Sequence, residues 1–238
     1  MSMYPESGLR KPWELGYARD DKSISKFFNV VYAWMAVGLA VTAAVGWVVA
    51  PHLPSLFGRS PGVLIACGLL SFVISIGVQT TFTKLNANVA TALFLIYAAL
   101  MGVIISYIFL IYSPKSLIAA FVITGGTFAG MSIYGFTTKR DLTAVGGFLV
   151  MATWGLILAS IVNIFIASNA LDWLITYAVL IVFVGITAYK TQELKEIAQR
   201  LGNDPVMAPR FAIYGSLILY ISFLNIFMSI LRILGDRK

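Results

Sequence analysis

Charged residues are spaced so far apart in this chain that long uncharged segments dominate the sequence. Seven gaps between neighbouring charged residues each hold 17 or more uncharged residues, and the shortest lies between Asp172 and Lys190. The other gaps run from Lys26 to Arg59, Arg59 to Lys84, Lys84 to Lys115, Lys115 to Lys139, Asp141 to Asp172 and Arg210 to Arg232. A helix needs roughly 20 residues to cross a hydrocarbon layer of about 30 Å. Each gap can hold one crossing, so the spacing predicts seven transmembrane helices.

Composition supports a membrane protein without a soluble domain. Hydrophobic residues make up 59% of the 238 positions and charged residues only 11%, which is too little polar surface for a soluble globule. We expect a cytosolic N-terminal tail over 1–26 and one all-α integral membrane domain over 27–235. Its seven predicted spans are 27–50, 62–83, 87–112, 116–138, 143–167, 172–189 and 211–234.

Basic residues are concentrated in alternate loops, which predicts the orientation of the chain. The N-terminal tail and the second, fourth and sixth loops hold twelve lysines and arginines, whereas the opposite loops hold only Arg59 and Lys115. Basic short loops are retained on the cytoplasmic side. We therefore expect the N-terminus in the cytoplasm and the C-terminus outside, despite Arg232, Arg237 and Lys238. A re-entrant last segment with the C-terminus inside is the alternative.

Groups that could carry catalysis or bind a metal are almost missing from the predicted spans. His52 is the single histidine and lies in the first outer loop, Cys67 is the single cysteine, and no acid lies well inside a span. Catalytic pairs and metal clusters each need several such groups together. We therefore expect no enzyme activity, cofactor or metal, and a solvated Asp172 at the outer mouth of the sixth span. The net charge of +7 follows from the topology and suits anionic lipid headgroups, so it needs no nucleic acid partner.

The polar groups predicted at depth are hydroxyls and amides. Asn163 in the fifth span and Ser222 and Asn225 in the seventh are expected to bond across helices, with substrate binding as the alternative. Tyr220, Ser222 and Asn225 lie about three residues apart, so they are expected to form one polar stripe.

Small residues recur at a spacing that favours close helix packing. They are Gly38, Thr42 and Gly46 in the first span and Gly126 and Gly130 in the fourth. We expect packing within the chain, and the alternative is a contact between copies.

The sixth helix is expected to continue beyond its span. Leu194, Ile197, Ala198 and Leu201 recur at helical spacing among charged residues, and Gly202 follows them. Such an amphipathic segment is expected to lie in the lipid headgroups or, alternatively, to offer its apolar face to a partner.

Four blocks of sequence resemble one known family. They are MSIYGFTTKRDLTAVGGFL (131–149), VNIF (162–165), VFVGITAYKTQELK (182–195) and LYISFLNIFMSILRILG (219–235). In order and spacing they resemble the Bax inhibitor and YccA-like transmembrane family, and bacterial members in particular. The resemblance implies a seven-helix fold in which two three-helix layers surround a central last helix. Family members are described as pH-sensitive calcium leaks, as suppressors of stress-induced death and, in bacteria, as modulators of a membrane-bound protease.

The resemblance also implies where an ion path would lie. The family's leak rests on two aspartates, and the matching positions here are Lys190 in YKTQ and Ser222 in LYISF. A basic residue of the family's second helix also has no counterpart within 60–83. The neighbouring polar residues that could line the path are Tyr189, Thr191, Gln192, Tyr220 and Asn225.

Lys190 has two interpretations. In the first, it is an interfacial lysine with its ammonium in cytosolic water and Glu193 as its partner three residues on. In the second, its ammonium lies in an inner vestibule and repels cations. Calcium requires several oxygens, carboxylates among them, whereas Ser222 and Asn225 supply neutral ones, so we predict no appreciable calcium leak. Because Ser222 lies twelve residues past Arg210, Lys190 and Ser222 meet only if the seventh helix begins outside the membrane or a water-filled cavity reaches inward.

Two classes of function follow. The first is a non-catalytic protein of the bacterial inner membrane that regulates membrane protein quality control or a stress response, with a membrane-bound protease complex as the expected partner. The alternative is an ion leak channel or transporter, for calcium as in the family or for protons or anions.

Overall fold

Regular structure in the described part of the chain is entirely helical. The computed structural model describes residues 21–53, 70–71, 73–77, 79, 86–202 and 204–236. Six segments within them are long and apolar enough to cross a membrane. The helices are α1 (Asp21–Val49) with a 3-10 turn after it (Ala50–His52), α2 (Ala87–Ile105), α3 (Ile108–Ile111), α4 (Pro114–Thr137), α5 (Thr143–Ile166), α6 (Asn169–Leu201) and α7 (Met207–Leu234), and α2 and α3 together make one segment. The chain is therefore a multi-pass helical membrane protein.

The helix bounds differ from the predicted spans mainly at α1 and α6. Helix α1 begins at Asp21 rather than 27, so the last residues of the predicted N-terminal tail are helical. Helix α6 continues beyond its predicted span, 172–189, to Leu201, which confirms the expected extension. The helices of the third, fourth, fifth and seventh predicted spans begin and end within four residues of their expected positions. In the second predicted span, 62–83, the described residues are helical and the rest lie outside the described residues.

Local sequence explains where several helices begin and end. Ser113 precedes Pro114, and its Oγ accepts a hydrogen bond from the backbone N–H of Ser116 at 3.2 Å. A hydroxyl cap followed by proline is a favoured helix start. Ser168 caps α6 in the same way, and Gly202, with a φ of 55°, ends α6 in the left-handed region.

Hydrogen bonds between α1 and α7 fix their relative direction. Ser216 in α7 donates to the backbone carbonyl of Val31 in α1 at 2.8 Å. Further along both helices, the hydroxyls of Tyr220 and Thr42 are 2.5 Å apart. Helices α1 and α7 therefore run in the same direction. Helix α2 also runs in the direction of α1, because Gly38 lies against Phe94 and Gly46 lies against Gly102.

Helices α4 and α6 end where α1 begins. The ring of Phe136, in the last turn of α4, packs edge-on against the ring of Phe28 at the start of α1, with 5.2 Å between the centroids. The backbone carbonyl of Phe136 also accepts a hydrogen bond from Lys195 of α6 at 2.7 Å. We call this the basic end of the bundle, because Lys139 and Arg140 follow α4 here.

The last helix crosses the whole bundle. Arg232, in the last turn of α7, pairs with Asp172, in the first turn of α6, at the end opposite the basic end. Helix α7 is unbroken from Met207 to Leu234, so the alternative of a re-entrant last segment is wrong. Asp172 is partly exposed, as expected of a residue at the outer mouth, but its carboxylate also joins the ends of two helices.

Helix α7 occupies the centre of the described bundle. It packs against α1, α2, α4 and α6. In its most apolar stretch 67% of the residues are buried, against 6% to 39% in the other five segments. A central last helix is what the family resemblance implies. The expected division into two three-helix layers also involves the second predicted span, which lies largely outside the described residues.

The small residues divide into two groups. Gly38 lies against the rings of Phe94 and Tyr220, and Gly46 faces Phe109, so both pack within the chain as expected. No atom of the described residues lies within 4 Å of a Cβ at Gly126 or Gly130, so among these residues the expected packing within the chain is not found. Spacing alone identifies a close-packing face but not the helix that covers it.

The amphipathic end of α6 does not lie in the headgroups as a separate segment. Leu194 and Ala198 are 1% and 2% exposed and belong to the hydrophobic core. Leu194 packs against Gly215 of α7, where a Cβ would lie within 2.7 Å of the leucine side chain. Because α7 also extends past this level, the apolar face of α6 is covered by this chain.

Candidate functional site

A cavity of about 770 Å³ lies between α2, α5, α6, α7 and the described residues of the second predicted span. Lys190 and Tyr189 of α6 line it together with Ser222 and Asn225 of α7. The structure thus brings to one cavity both positions that the resemblance matches to the family's aspartates, and we call it the lysine cavity. This arrangement is possible because α6 continues past Lys190 and α7 begins at Met207, so both helices extend beyond these positions.

Lys190 is held in place by its own helix. Its Nζ lies 2.6 Å from a carboxylate oxygen of Glu193, as the three-residue spacing predicts, and 5.0 Å from the ring centre of Tyr189. The lysine side chain is 18% exposed. An amine in this position is neither fully solvated nor unpaired. Lys190 therefore combines features of both interpretations, since it has an interfacial partner and also lines the cavity.

Three residues of the predicted polar path face elsewhere. Tyr220 lies two positions before Ser222, which is about 200° around the helix, and it contacts α1 instead of the cavity. Thr191 is buried against Ser132 of α4 at 3.1 Å. Gln192 accepts a hydrogen bond from a backbone N–H and donates one to a backbone carbonyl in the α4–α5 loop, both at 2.8 Å. The predicted stripe is therefore limited to Ser222 and Asn225.

The amide and hydroxyl groups expected to bond across helices bond locally. Ser222 donates to the carbonyl of Ile218 at 3.1 Å, and Asn225 donates to that of Ile221 at 2.8 Å. Asn163 accepts a hydrogen bond from the N–H of Ser168 in the α5–α6 loop. Short polar side chains on helices can reach the carbonyl one turn back, which satisfies them without a partner helix.

Other hydroxyls do bond between helices, and of these the sequence pattern pointed to Thr191, Tyr220 and Thr42 for different roles and gave no indication of Tyr32 or Ser132. Tyr32 of α1 is hydrogen-bonded to Ser132 of α4, and Ser132 to Thr191 of α6. Tyr220 and Thr42 form the second such pair, and Thr42 also contacts the carbonyl of Ala98 at 2.9 Å. Tyrosine and threonine are frequent in apolar helices, so their type gave no signal.

A second cavity of about 420 Å³ lies towards the opposite end of the bundle. Arg232 lines it, so we call it the arginine cavity. Val179 of α6 and Asn225 of α7 line both this cavity and the lysine cavity. Neither cavity has an aspartate or glutamate among its described lining residues. The pair Val179 and Asn225 thus separates two spaces that each hold one basic side chain.

Comparison with known proteins identifies the family. The family model described as Inhibitor of apoptosis-promoting Bax1 matches residues 24–238. The chain belongs to this family.

Several bacterial proteins are similar to this chain over almost its whole length. The inner membrane protein YbhL of Escherichia coli K12 is 44% identical over 222 residues, which cover 90% of this chain and 93% of YbhL. An uncharacterized protein of Deinococcus radiodurans is 40% identical over 90% of this chain and 92% of its own length. An uncharacterized protein of Borreliella burgdorferi is 38% identical over 90% and 93%.

Proposed function

We propose that this chain is a non-catalytic inner-membrane member of the Bax inhibitor family that does not pass calcium. It regulates membrane protein quality control or a stress response through contacts with a partner, for which a membrane-bound protease complex is the candidate. The observation that supports this proposal is the position of Lys190 in the lysine cavity. The inner-membrane location is supported by the similarity to YbhL.

The chemistry of the lysine cavity disfavours a divalent cation. Calcium takes six to eight oxygen ligands, and carboxylates normally supply part of the charge that replaces its water. The described lining residues, Ser222, Asn225 and Gln79 among them, offer hydroxyl and amide oxygens that are all neutral, and none of these residues has a carboxylate. Lys190 adds a positive charge, which Glu193 offsets from outside the lining. A calcium ion would lose its hydration without gaining an anionic ligand.

Calcium flux into proteoliposomes tests this step. We expect the purified chain to give no flux above empty vesicles. The paired substitution Lys190→Asp with Ser222→Asp should produce a pH-dependent calcium flux, because it places two carboxylates in the same cavity. Lys139 is an exposed lysine in the α4–α5 loop, so Lys139→Asp is the matched control and should give no calcium flux. A wild-type flux as large as that of the paired variant would contradict the proposal.

Helix α5 is the candidate surface for a partner. Only 6% of its most apolar stretch is buried, and it packs mainly against α6. Met151 and Phe165 are 70% and 83% exposed. A photo-crosslinking amino acid at Met151 should capture a discrete protein in native membranes, whereas one at Ile118 of α4, which is 67% exposed, should react only with lipid. Identical adducts at both positions would contradict a partner site on α5.

A second candidate function is an anion or proton leak. It is supported by the two cavities that share Val179 and Asn225, each of which has one basic side chain and no carboxylate among its described lining residues. Nitrate flux into proteoliposomes should fall on Lys190→Gln and remain unchanged on Lys139→Gln. Equal flux in both variants and in empty vesicles would exclude this function.

A further inference from the structure

A groove of about 890 Å³ lies on the other side of the bundle from the lysine cavity, between α1 and α4. Its floor is apolar and includes Phe28, Met35 and Phe128, which are 5% to 7% exposed. Lys195 and Gln199 of α6 line it at the basic end. We call it the amphipathic groove, because its charged residue lies at one end and the lining further in is apolar except for Tyr32 and Ser132, whose hydroxyls bond to each other.

The groove has the depth of one membrane leaflet. Along α1 it extends from Ile24 to Met35, and eleven residues of helix rise about 16 Å. This is about half of a hydrocarbon layer of about 30 Å. On α4 the lining runs from Phe128 to Thr137 at the basic end, over the same part of the bundle. An acyl chain of a single leaflet can therefore lie along the groove while its headgroup stays at the basic end.

Lys195 provides the charge that selects a headgroup. Its Nζ donates to the carbonyl of Phe136 at 2.7 Å and lies 4.8 Å from the centre of that ring. The carbonyl is neutral, and within the described residues Lys195 forms no ion pair. A lysine ammonium has three donors, so two remain for a further acceptor. Lys190 and Arg200, its neighbours on α6, are by contrast each paired with a glutamate.

Two further lysines lie beside the mouth of the groove. Ser25 and Asn29 of α1 line it and are exposed. Lys22 and Lys26 are also exposed, and they share a helix stripe with Ser25 and Asn29 because residues three and four apart are neighbours. The mouth is therefore basic, whereas the groove behind it is apolar.

We propose that the amphipathic groove binds one anionic phospholipid, with its phosphate on Lys195 and one acyl chain along α1 and α4. The apolar floor suits a chain of methylenes, and the charge at the mouth favours phosphatidylglycerol over a zwitterionic lipid of the same chain length. One lysine near an anionic surface contributes about 1 kcal/mol, which corresponds to about a fivefold preference.

Native mass spectrometry of the full chain, released from micelles with equal amounts of phosphatidylglycerol and phosphatidylcholine, tests the proposal. We expect the wild type to retain phosphatidylglycerol preferentially. Lys195→Gln should lower this preference about fivefold, and Lys195→Arg should keep it. Arg200→Gln, which removes a positive charge from an 80% exposed side chain outside the groove, should change nothing. Equal retention of both lipids by the wild type would overturn the proposal.

A second variant tests the apolar part of the groove separately. Ala129 lines the groove and is exposed, so Ala129→Phe should fill it without changing the charge. Retention of both lipids should then fall. Unchanged retention would show that the lipid lies elsewhere. A photo-crosslinking amino acid at position 129 should yield a lipid adduct, whereas adducts with residues 1–20 or with another protein would overturn the choice of occupant.

Discussion

Glycine positions show how residues that look alike in the sequence differ in the folded chain. Gly130 and Gly135 both lie in α4. A Cβ at Gly130 would meet nothing within 4 Å, whereas at Gly135 it would clash with the backbone carbonyl of Ala188 in α6. Backbone atoms cannot rotate away as a side chain can. Close approach of α4 and α6 therefore depends on the absence of a side chain at Gly135.

This difference predicts opposite effects of the same substitution. We expect Gly135→Ala to lower the free energy of unfolding by about 1 to 3 kcal/mol, because α4 and α6 must move apart. Gly130→Ala should be neutral or stabilising by up to about 1 kcal/mol, because alanine is the better helix former. Thermal unfolding of both variants in detergent measures the difference. Equal destabilisation by both would contradict the close approach.

The extension of α6 beyond its predicted span belongs to the hydrophobic core and is not a surface segment. Its residue Leu194 is 1% exposed and packs on α7. We expect Leu194→Ala to lower the free energy of unfolding by about 2 to 5 kcal/mol. Ile197→Ala, in the next turn but only partly buried, should cost less. Unfolding curves in detergent measure both differences. An unchanged free energy of unfolding in Leu194→Ala would indicate that this segment lies at the lipid surface and not in the core.

The start of α7 is held by Asp204. Its carboxylate accepts hydrogen bonds from the N–H groups of Val206 and Met207 at 2.8 and 2.9 Å, and these bonds lower the pKa of Asp204 below its ordinary value. A lowered pKa in the folded state gives stability that is present above the ordinary pKa and is lost as the pH falls through the lowered one. Asp204→Asn should therefore have a lower melting temperature than the wild type at pH 7, and the difference in melting temperature should shrink below pH 4. A difference that stays constant down to pH 3 would contradict this role of the carboxylate.

The positions of the helices could largely be predicted from the sequence, including the extension of α6, but the faces by which the helices pack could not. Gaps between charged residues mark the apolar segments, because charge is costly in lipid. The extension of α6 to Leu201 was indicated instead by apolar residues at helical spacing before Gly202, but this spacing does not show that the apolar face meets α7. The spacing of about three residues also grouped Tyr220 with Ser222 and Asn225, although Tyr220 and Ser222 point to nearly opposite sides of α7. Which face meets which neighbour is set by tertiary packing.

At the scale of the whole molecule, the candidate site depends on two long helices that cross past each other. The family resemblance pointed to Lys190 and Ser222, and the structure places both in one cavity. The arginine cavity and the salt bridge between Asp172 and Arg232 could not be predicted, because sixty residues separate the two charges and nothing in their spacing relates them. The bundle therefore has one basic side chain in each cavity, with Asn225 between the cavities.

The same arrangement makes the orientation in the membrane testable. The basic end carries Lys139 after α4, and the opposite end carries Lys115 at the start of α4; both are exposed. Because basic loops are retained in the cytoplasm, we expect the basic end to face inwards. In a Cys67→Ser background, a membrane-impermeant maleimide added to intact cells should label Lys115→Cys but not Lys139→Cys. Permeabilised cells should give labelling at both positions, which controls for reactivity. The reverse pattern in intact cells would show that the bundle is inserted the other way round, with the lysine of the amphipathic groove in the outer leaflet.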